Sequence, residues 1–273
     1  MNPILKFTEL LKLFHPNDWF RTKKREFEEM YLSNVFYMHV QKDGNEAHEY
    51  EDSYRHDMNN LLFCVADGTT ESSFSKEWAD LLTEEFVNTS NHSKNDLKIV
   101  LRKMRKKAKN KWHNWLKNKT IPWHAEEKVK RGADAAFIGL KILPEISVWK
   151  AVSVGDCCLF IIRDDKLIEK FPIEVDSDFD NTPSLIGSVF ALGKNDIKVK
   201  SGDLTGGEII YLLSDAIAQW FLKNQKKQSW KIINDNFENK DIFQVFIDKL
   251  RKNKEIKNDD ITVMIITIPH ERI

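Results

Sequence analysis

The order of strand-like and helix-like segments in this 273-residue chain predicts an α+β fold, a two-sheet sandwich covered by helices. Short runs rich in β-branched and aromatic residues flank two long segments with apolar residues at helical spacing. Further strands, two shorter helices and a last strand follow. No repeat, linker or low-complexity stretch divides the chain, so it reads as one domain over residues 1–273. Residues 1–30 form an N-terminal helical extension and 31–270 the core.

The first strands are Asn34 to Val40 and Leu61 to Ala66, bounded by turn residues. A helix from Ser75 to Asn88 carries Trp78, Leu81, Leu82 and Phe86. A second, from Asn95 to Lys117, opens on an Asn-Asp cap and carries Leu97, Val100, Leu101, Met104, Trp112 and Trp115. Four segments, Ala133 to Ile142, Ile146 to Val154, Cys157 to Arg163 and Lys166 to Phe171, read as a meander of short strands. A polar loop runs from Asp176 to Pro183. Glu208 to Leu213 is a strand, Ala216 to Leu222 and Asp241 to Arg251 are helices, and Ile261 to Ile268 is the final strand.

Composition narrows the function classes. With 41% hydrophobic and 31% charged residues the chain has the make-up of a soluble globular protein. Lys+Arg and Asp+Glu both number 42, and this balance argues against nucleic acid, whose backbone is bound through a basic excess. Cys64, Cys157 and Cys158 form neither a disulfide framework nor a zinc spacing and fit a reducing, cytoplasmic setting. No stretch approaches the roughly 18–20 continuous apolar residues of a membrane span. The apolar residues Ile4, Leu5, Phe7, Leu10, Leu11, Leu13 and Phe14 suit an amphipathic helix packed on the domain, with peripheral membrane contact as the alternative. The basic run Arg102, Lys103, Arg105, Lys106, Lys107, Lys109 and Lys111 reads as a solvated helix face, or else as a docking surface for an acidic or phosphorylated partner.

The carboxylates carry the chemistry. Asp67 directly follows an apolar strand and precedes Gly68; Asp215 directly follows another; Asp259 and Asp260 directly precede a third. Asp156 sits in a Gly-Asp turn, and Glu51 and Asp52 lie about one strand's length before the Asp67 strand. Taken singly, each has a bland reading as a hairpin turn, helix cap or polar loop. Taken together, aspartates at the ends of adjacent buried strands crowd into one pocket and repel unless a cation intervenes. Oxygen-only donors suit Mg²⁺ or Mn²⁺.

These segments resemble the PPM, or protein phosphatase 2C, family of metal-dependent phosphatases, in the family's order from about Asn34 to Ile268. The resemblance rests on Tyr50-Glu51-Asp52-Ser53, Phe63-Cys64-Val65-Ala66-Asp67-Gly68 and Gly132-Ala133-Asp134-Ala135-Ala136. It continues in Val154-Gly155-Asp156-Cys157, Leu212-Leu213-Ser214-Asp215 and Asp259-Asp260-Ile261-Thr262-Val263. It implies a four-layer α-β-β-α sandwich of two antiparallel sheets flanked by helices, with two Mn²⁺ or Mg²⁺ ions at one end. Asp67 would bridge both ions and the Gly68 carbonyl would contact one. Asp215 and Asp259 would hold one metal, and Asp52 with Glu51 the other, so Asp67, Asp52, Asp215 and Asp259 would be the catalytic set. Ions about 3.5–4 Å apart would share a water and aim it at phosphorus. The implied activity is hydrolysis of phosphoserine and phosphothreonine in a signalling setting, on a protein phosphorylated by a Ser/Thr kinase.

Departures from the family pattern point to a divergent bacterial subgroup. Thr69 stands where some members carry a histidine general acid, leaving a metal-bound water to protonate the leaving oxygen. The phosphate-gripping arginine is missing; Ala47 and His48 occupy its region, and His48 and Arg131 are candidate phosphate contacts, against the plainer reading of His48 as a solvent-exposed or core-satisfied histidine. Gln219 lies near the position of a third-metal aspartate, and Ala216 follows Asp215, so a third metal held by Asp156 is disfavoured. A pseudo-phosphatase that binds phosphoproteins, or a small-molecule phosphomonoesterase, are the competing functions. Cys157 and Arg163 match the Cys-x5-Arg spacing of cysteine phosphatases, but the residues between them form an apolar strand without a phosphate-wrapping glycine.

Overall fold

The computed structural model of the chain describes residues 35–70, 72, 74–90, 96–119, 121, 126–179, 182–193 and 195–270. The expected helix over Met1 to Phe14, and with it the N-terminal extension, lies outside the described residues. Eleven strands are described: β1 (Val35–Val40), β2 (Ser53–Asp57), β3 (Leu62–Gly68), β4 (Asp134–Leu143), β5 (Val148–Val154), β6 (Cys158–Arg163), β7 (Lys166–Phe171), β8 (Ile186–Gly187), β9 (Lys198–Asp203), β10 (Ile209–Leu213) and β11 (Ile261–Thr267). The described α-helices are α1 (Ser75–Ser90), α2 (Leu97–Lys117), α3 (Glu126–Arg131), α4 (Asp215–Lys223), α5 (Ser229–Asp235) and α6 (Lys240–Lys252).

The strands form two antiparallel sheets. One has the order β1-β11-β10-β6-β7; the other has β2-β3-β4-β5-β9, with β8 paired to β4. Strand alternation builds three apolar layers between four layers of structure. Phe63, Val65, Ile138, Leu140, Leu159, Ile161, Ile210, Leu212 and Met264 meet between the sheets. Their neighbours Leu62, Cys64, Ala66, Phe137 and Val152 turn outward onto Trp78, Leu82, Phe86, Leu101 and Trp112 of α1 and α2. On the other side Phe160, Tyr211, Leu213, Val263 and Ile265 pack under Ile217, Phe221, Ile233, Phe243 and Ile247 of α4, α5 and α6. Buried on both faces, these strands read as continuous apolar runs, which is why they were visible in the sequence. The expected α-β-β-α sandwich is what the chain forms.

The four-strand meander is corrected. β4 with β5, and β6 with β7, are hairpin neighbours, but β5 and β6 belong to different sheets. Gly155-Asp156 is therefore the step by which the chain crosses the sandwich. Gly155 has φ +89°, and a Cβ there would lie 2.7 Å from the Cβ of Ala136, so a side chain is excluded on both conformational and steric grounds.

Two features of α2 account for part of its basic run. Arg105 Nε donates to the Gly187 carbonyl at 3.0 Å and Lys109 Nζ to that of Val189 at 3.0 Å, so this face fastens the loop after β8. Lys111 pairs with Glu84 and Glu85 of α1, at 2.8 and 2.6 Å. Arg102, Lys103 and Lys106 remain exposed. From α1, Trp78 Nε1 donates to the Ile186 carbonyl at 2.6 Å, holding β8 against the second sheet. Among the described residues no helix is long and apolar enough to cross a membrane.

Candidate metal centre and phosphate cleft

Strand register sets which residues meet at one end of the sandwich. In the first sheet Val40 lies opposite Ile261, Leu213 opposite Val263, and Leu213 opposite Cys158. In the second, Ser53 lies opposite Ala66, and Asp67 opposite Ala136. The ends of β1, β3, β5 and β10 and the starts of β2, β6 and β11 are thus brought to the same rim. The segments carrying Glu51-Asp52, Asp67-Gly68, Asp156, Asp215 and Asp259-Asp260 all leave the sheets there.

Asp67 follows Phe63 and Val65 at strand period two, so it sits on the inter-sheet face at the point where the core opens. Burial pushes its carboxyl well above the usual range, and the neighbouring Asp52, Asp215, Asp156 and Asp259 push the same way. Gly68 permits a close approach: a Cβ there would lie 2.8 Å from the Glu51 carbonyl oxygen and 2.9 Å from Ser75 at the start of α1.

Asp52 is 1% exposed. Its Oδ2 accepts the Thr262 hydroxyl at 2.6 Å, and that hydroxyl also bonds the Tyr50 hydroxyl. Its Oδ1 is buried with no hydrogen-bond partner, an uncompensated oxygen of the kind that folded proteins rarely leave without a ligand. Burial raises its pKa strongly, with Asp260 and Asp215 adding to the effect. Glu51 accepts the Ser75 hydroxyl, and its pKa too is raised, chiefly by burial.

Ser214 ties the two central strands together at this rim. Its N–H donates to the Thr262 carbonyl at 3.1 Å, and its hydroxyl accepts the Thr262 N–H at 2.9 Å. That pairing sets Asp215, the first residue of α4, beside the turn of Asp259. Asp215 Oδ1 accepts the following N–H of Ala216 at 2.5 Å, and Ser214, not Asp215, is the residue at the N-cap.

An open cleft of about 810 Å³ lies over this rim. Its walls include Asp67, Gly68, Asp134, Asp156, Asp215 and Asp259, with Lys42, Arg131 and Lys257 as the cationic groups. Asp52 lies beneath it, in Coulombic reach of Asp67. His48 is exposed on the short 3₁₀ turn Ala47–Glu49 and is not among the lining residues. No group of three or more His, Cys, Asp or Glu side chains among the described residues stands close enough together to hold a metal ion as placed.

Three residues have roles at this rim that the sequence had not assigned to them. Asp134, at the start of β4, lines the cleft, and burial raises its pKa. Asp260 is a clamp: its two oxygens accept the Lys42 N–H at 2.7 Å and the Glu51 N–H at 2.6 Å, fixing the segment before Asp52 against β11. Lys257 pairs with Asp215 at 3.2 Å and Asp259 at 2.7 Å. The Asp-Asp doublet signalled Asp260, but a lysine in an exposed-looking loop carries no signal of its own.

The cysteine-phosphatase spacing dissolves in the same structure. Burial pushes the Cys157 thiol well up, with Asp67 and Asp156 adding to it, which disfavours the thiolate a cysteine nucleophile needs. Arg163 donates from Nε and Nη2 to Glu208 Oε1, at 3.0 and 2.6 Å, at the far end of β6.

Comparison with known proteins bears on the whole arrangement. Among solved structures, the photosystem II phosphatase PBCP superposes with a TM-score of 0.60 at 15% identity, covering 86% of this chain and 98% of that one. The PPM Ser-Thr phosphatase MsPP from Mycobacterium smegmatis, in complex with cacodylate, gives 0.54 at 15% identity, with 86% and 98% covered. The catalytic domain of the serine threonine protein phosphatase PstP, in complex with 2 manganese ions, gives 0.55 at 12% identity, again with 86% and 98% covered. At these identities the likeness is one of fold. No curated protein sequence matches the chain significantly. A family model described as Protein phosphatase 2C matches residues 44–256, a stretch that holds every strand of the sandwich except the first and the last. Over most of its length, then, this chain belongs to the protein phosphatase 2C family, whose activity is that of Ser/Thr phosphatases.

Proposed function

We propose that the chain hydrolyses phosphoserine and phosphothreonine in protein substrates with the help of two Mn²⁺ or Mg²⁺ ions. Asp67, the Gly68 carbonyl, Asp215 and Asp259 would hold them together with Asp52 and Glu51. The observation that carries this reading is the crowding around Asp67, whose pKa is raised by burial and by the neighbouring Asp52, Asp215, Asp156 and Asp259, while Asp52 Oδ1 is buried without a hydrogen-bond partner. An all-oxygen donor set of this kind fits a hard divalent cation. Two such ions, when bound, would supply Lewis acidity toward the phosphoryl group and water.

The chain's own groups position the reactants. The Tyr50–Thr262–Asp52 chain orients the Asp52 carboxylate, and Asp260 holds the backbone of Glu51. Lys42 and Arg131 put positive charge on walls that five aspartates otherwise make acidic, so a phosphate dianion would be drawn to their side of the cleft once cations offset the acids. The open cleft leaves room for a phosphorylated side chain still attached to its peptide. Thr69 holds no general-acid role: its hydroxyl bonds Ser72 at 2.9 Å and the Asp134 carbonyl at 3.3 Å.

A phosphothreonine peptide assay with Mn²⁺ and with EDTA tests the proposal. Turnover requiring Mn²⁺, lowered at least about 10²-fold by Asp67→Asn, is the expected result. A well-folded protein that binds the phosphopeptide but gives the same null rate in Mn²⁺ and EDTA would mark a phosphoprotein-binding module, the reading favoured by the missing phosphate arginine. Faster turnover of a sugar phosphate than of the peptide would move the substrate class.

A further inference from the structure

We infer that Lys257 is a built-in competitor for the cation position between Asp215 and Asp259. Its ammonium lies 3.2 Å from Asp215 Oδ2 and 2.7 Å from Asp259 Oδ2, bridging two carboxylates from different segments. The bridge is set by the fold. Asn258, the next residue, accepts the Asp43 N–H at 2.8 Å and donates back to the Asp43 carbonyl at 3.2 Å. On the other side Arg251 Nη2 donates to the Asp259 carbonyl at 2.7 Å, and the Asp259 N–H closes a tight turn onto the Lys257 carbonyl at 3.1 Å. The loop is thus held at three points, and the lysine stem reaches over the acidic rim from a fixed base.

Two carboxylates placed this close need a positive partner in any state of the protein. Lys257 provides one that cannot diffuse away. A divalent ion entering the Asp215–Asp259 pair must displace it, and metal affinity there is reduced by the free energy of that pairing. The lysine side chain is 56% exposed, so the pairing is of the modest surface kind and the displaced ammonium moves into water within the cleft. The metal-free chain is thereby kept from collapsing into mutual carboxylate repulsion, while the position stays open to exchange.

This inference rests on the assignment of Asp215 and Asp259 as cation ligands, and the experiment separates the two. Mn²⁺ binding to the full chain is measured by calorimetry and by the electron paramagnetic resonance of free Mn²⁺, without substrate, for the wild type and for Lys257→Met, Lys257→Arg and Lys42→Met. The expected result is that Lys257→Met tightens one Mn²⁺ site by about three- to fivefold. Lys257→Arg keeps wild-type affinity within twofold, as does Lys42→Met, which removes the same charge from the same cleft without freeing either carboxylate. Unchanged affinity in Lys257→Met overturns the inference, and so does equal tightening in Lys42→Met, which marks a general field effect. Absence of Mn²⁺ binding in all four proteins overturns the metal assignment itself, and this inference with it. The metal-free melting temperature supplies a second readout: Lys257→Met melts lower than the wild type in EDTA, and Mn²⁺ closes that gap.

Discussion

Asp67 and Asp52, cation ligands on the proposed reading, are residues at which burial and charge pull against each other. Each is buried with a pKa raised above the unfolded carboxylate value of about 3.9, and desolvation is the leading cause. For such groups the folded state binds protons more tightly than the unfolded state. Their charged forms therefore destabilise the metal-free fold, by nothing at low pH and increasingly as pH rises from about 4 through the raised pKa. In EDTA, stability attributable to this pair should fall with rising pH across that window. Asp67→Asn removes one of the charges and should stabilise the metal-free chain at pH 7.5 by on the order of 1–2 kcal/mol, while flattening the pH slope. Urea unfolding at pH 5 and pH 7.5 measures both. A destabilised Asp67→Asn protein in EDTA would show that the carboxylate is instead satisfied by its surroundings.

Among the elements, α2 differs most from its sequence reading. Its basic run is the pattern of a solvated face or a docking surface, yet Arg105 and Lys109 reach across to carbonyls of Gly187 and Val189, and Arg105 also to that of Phe190. The fastened loop leads back to Thr182, Pro183 and Leu185 on the cleft wall. Arg105→Ala should therefore speed amide exchange over residues 186–190 by about tenfold, equivalent to about 1.4 kcal/mol of local opening, and lower global stability by less than about 1 kcal/mol. Exchange read by mass spectrometry distinguishes this from a purely solvated arginine, whose removal leaves the loop unchanged.

For the molecule as a whole, the sandwich has one end sealed by side chains and the other held open by acids. At the far end of β6, Arg163 pairs with Oε1 of the fully buried Glu208, whose Oε2 has no hydrogen-bond partner. At the cleft end the partners of the carboxylates include Lys257, Thr262, Ser75 and backbone N–H groups. Binding of cations to the folded state alone should raise stability by about 2.7 kcal/mol at a hundred times the dissociation constant, or about 5–10 °C in melting temperature for a chain of this size. A thermal shift with Mn²⁺ or Mg²⁺ that is absent with Na⁺ at matched ionic strength, and absent in the double variant Asp67→Asn with Asp215→Asn, is the expected outcome.

Much of this was readable in the residues. Strands buried on both faces must be continuous apolar runs, so β3, β4, β5, β6, β10 and β11 stood out, and an aspartate at the end of such a run stood out with them. The exposed strands β2 and β9 and the short β8, α3 and α5 did not, because tyrosines, lysines and serines at an edge carry little apolar period. The order of the motifs was enough for family and sandwich, since each motif is a local property of a strand and its turn. Tertiary structure decided what depends on register between distant segments: that Gly155-Asp156 crosses between sheets, that Arg163 belongs to Glu208, that Asp260 clamps the segment before Asp52, and that Lys257 bridges Asp215 and Asp259. Ion pairs and clamps of that kind join residues whose spacing along the chain is arbitrary, so no periodicity in the sequence records them.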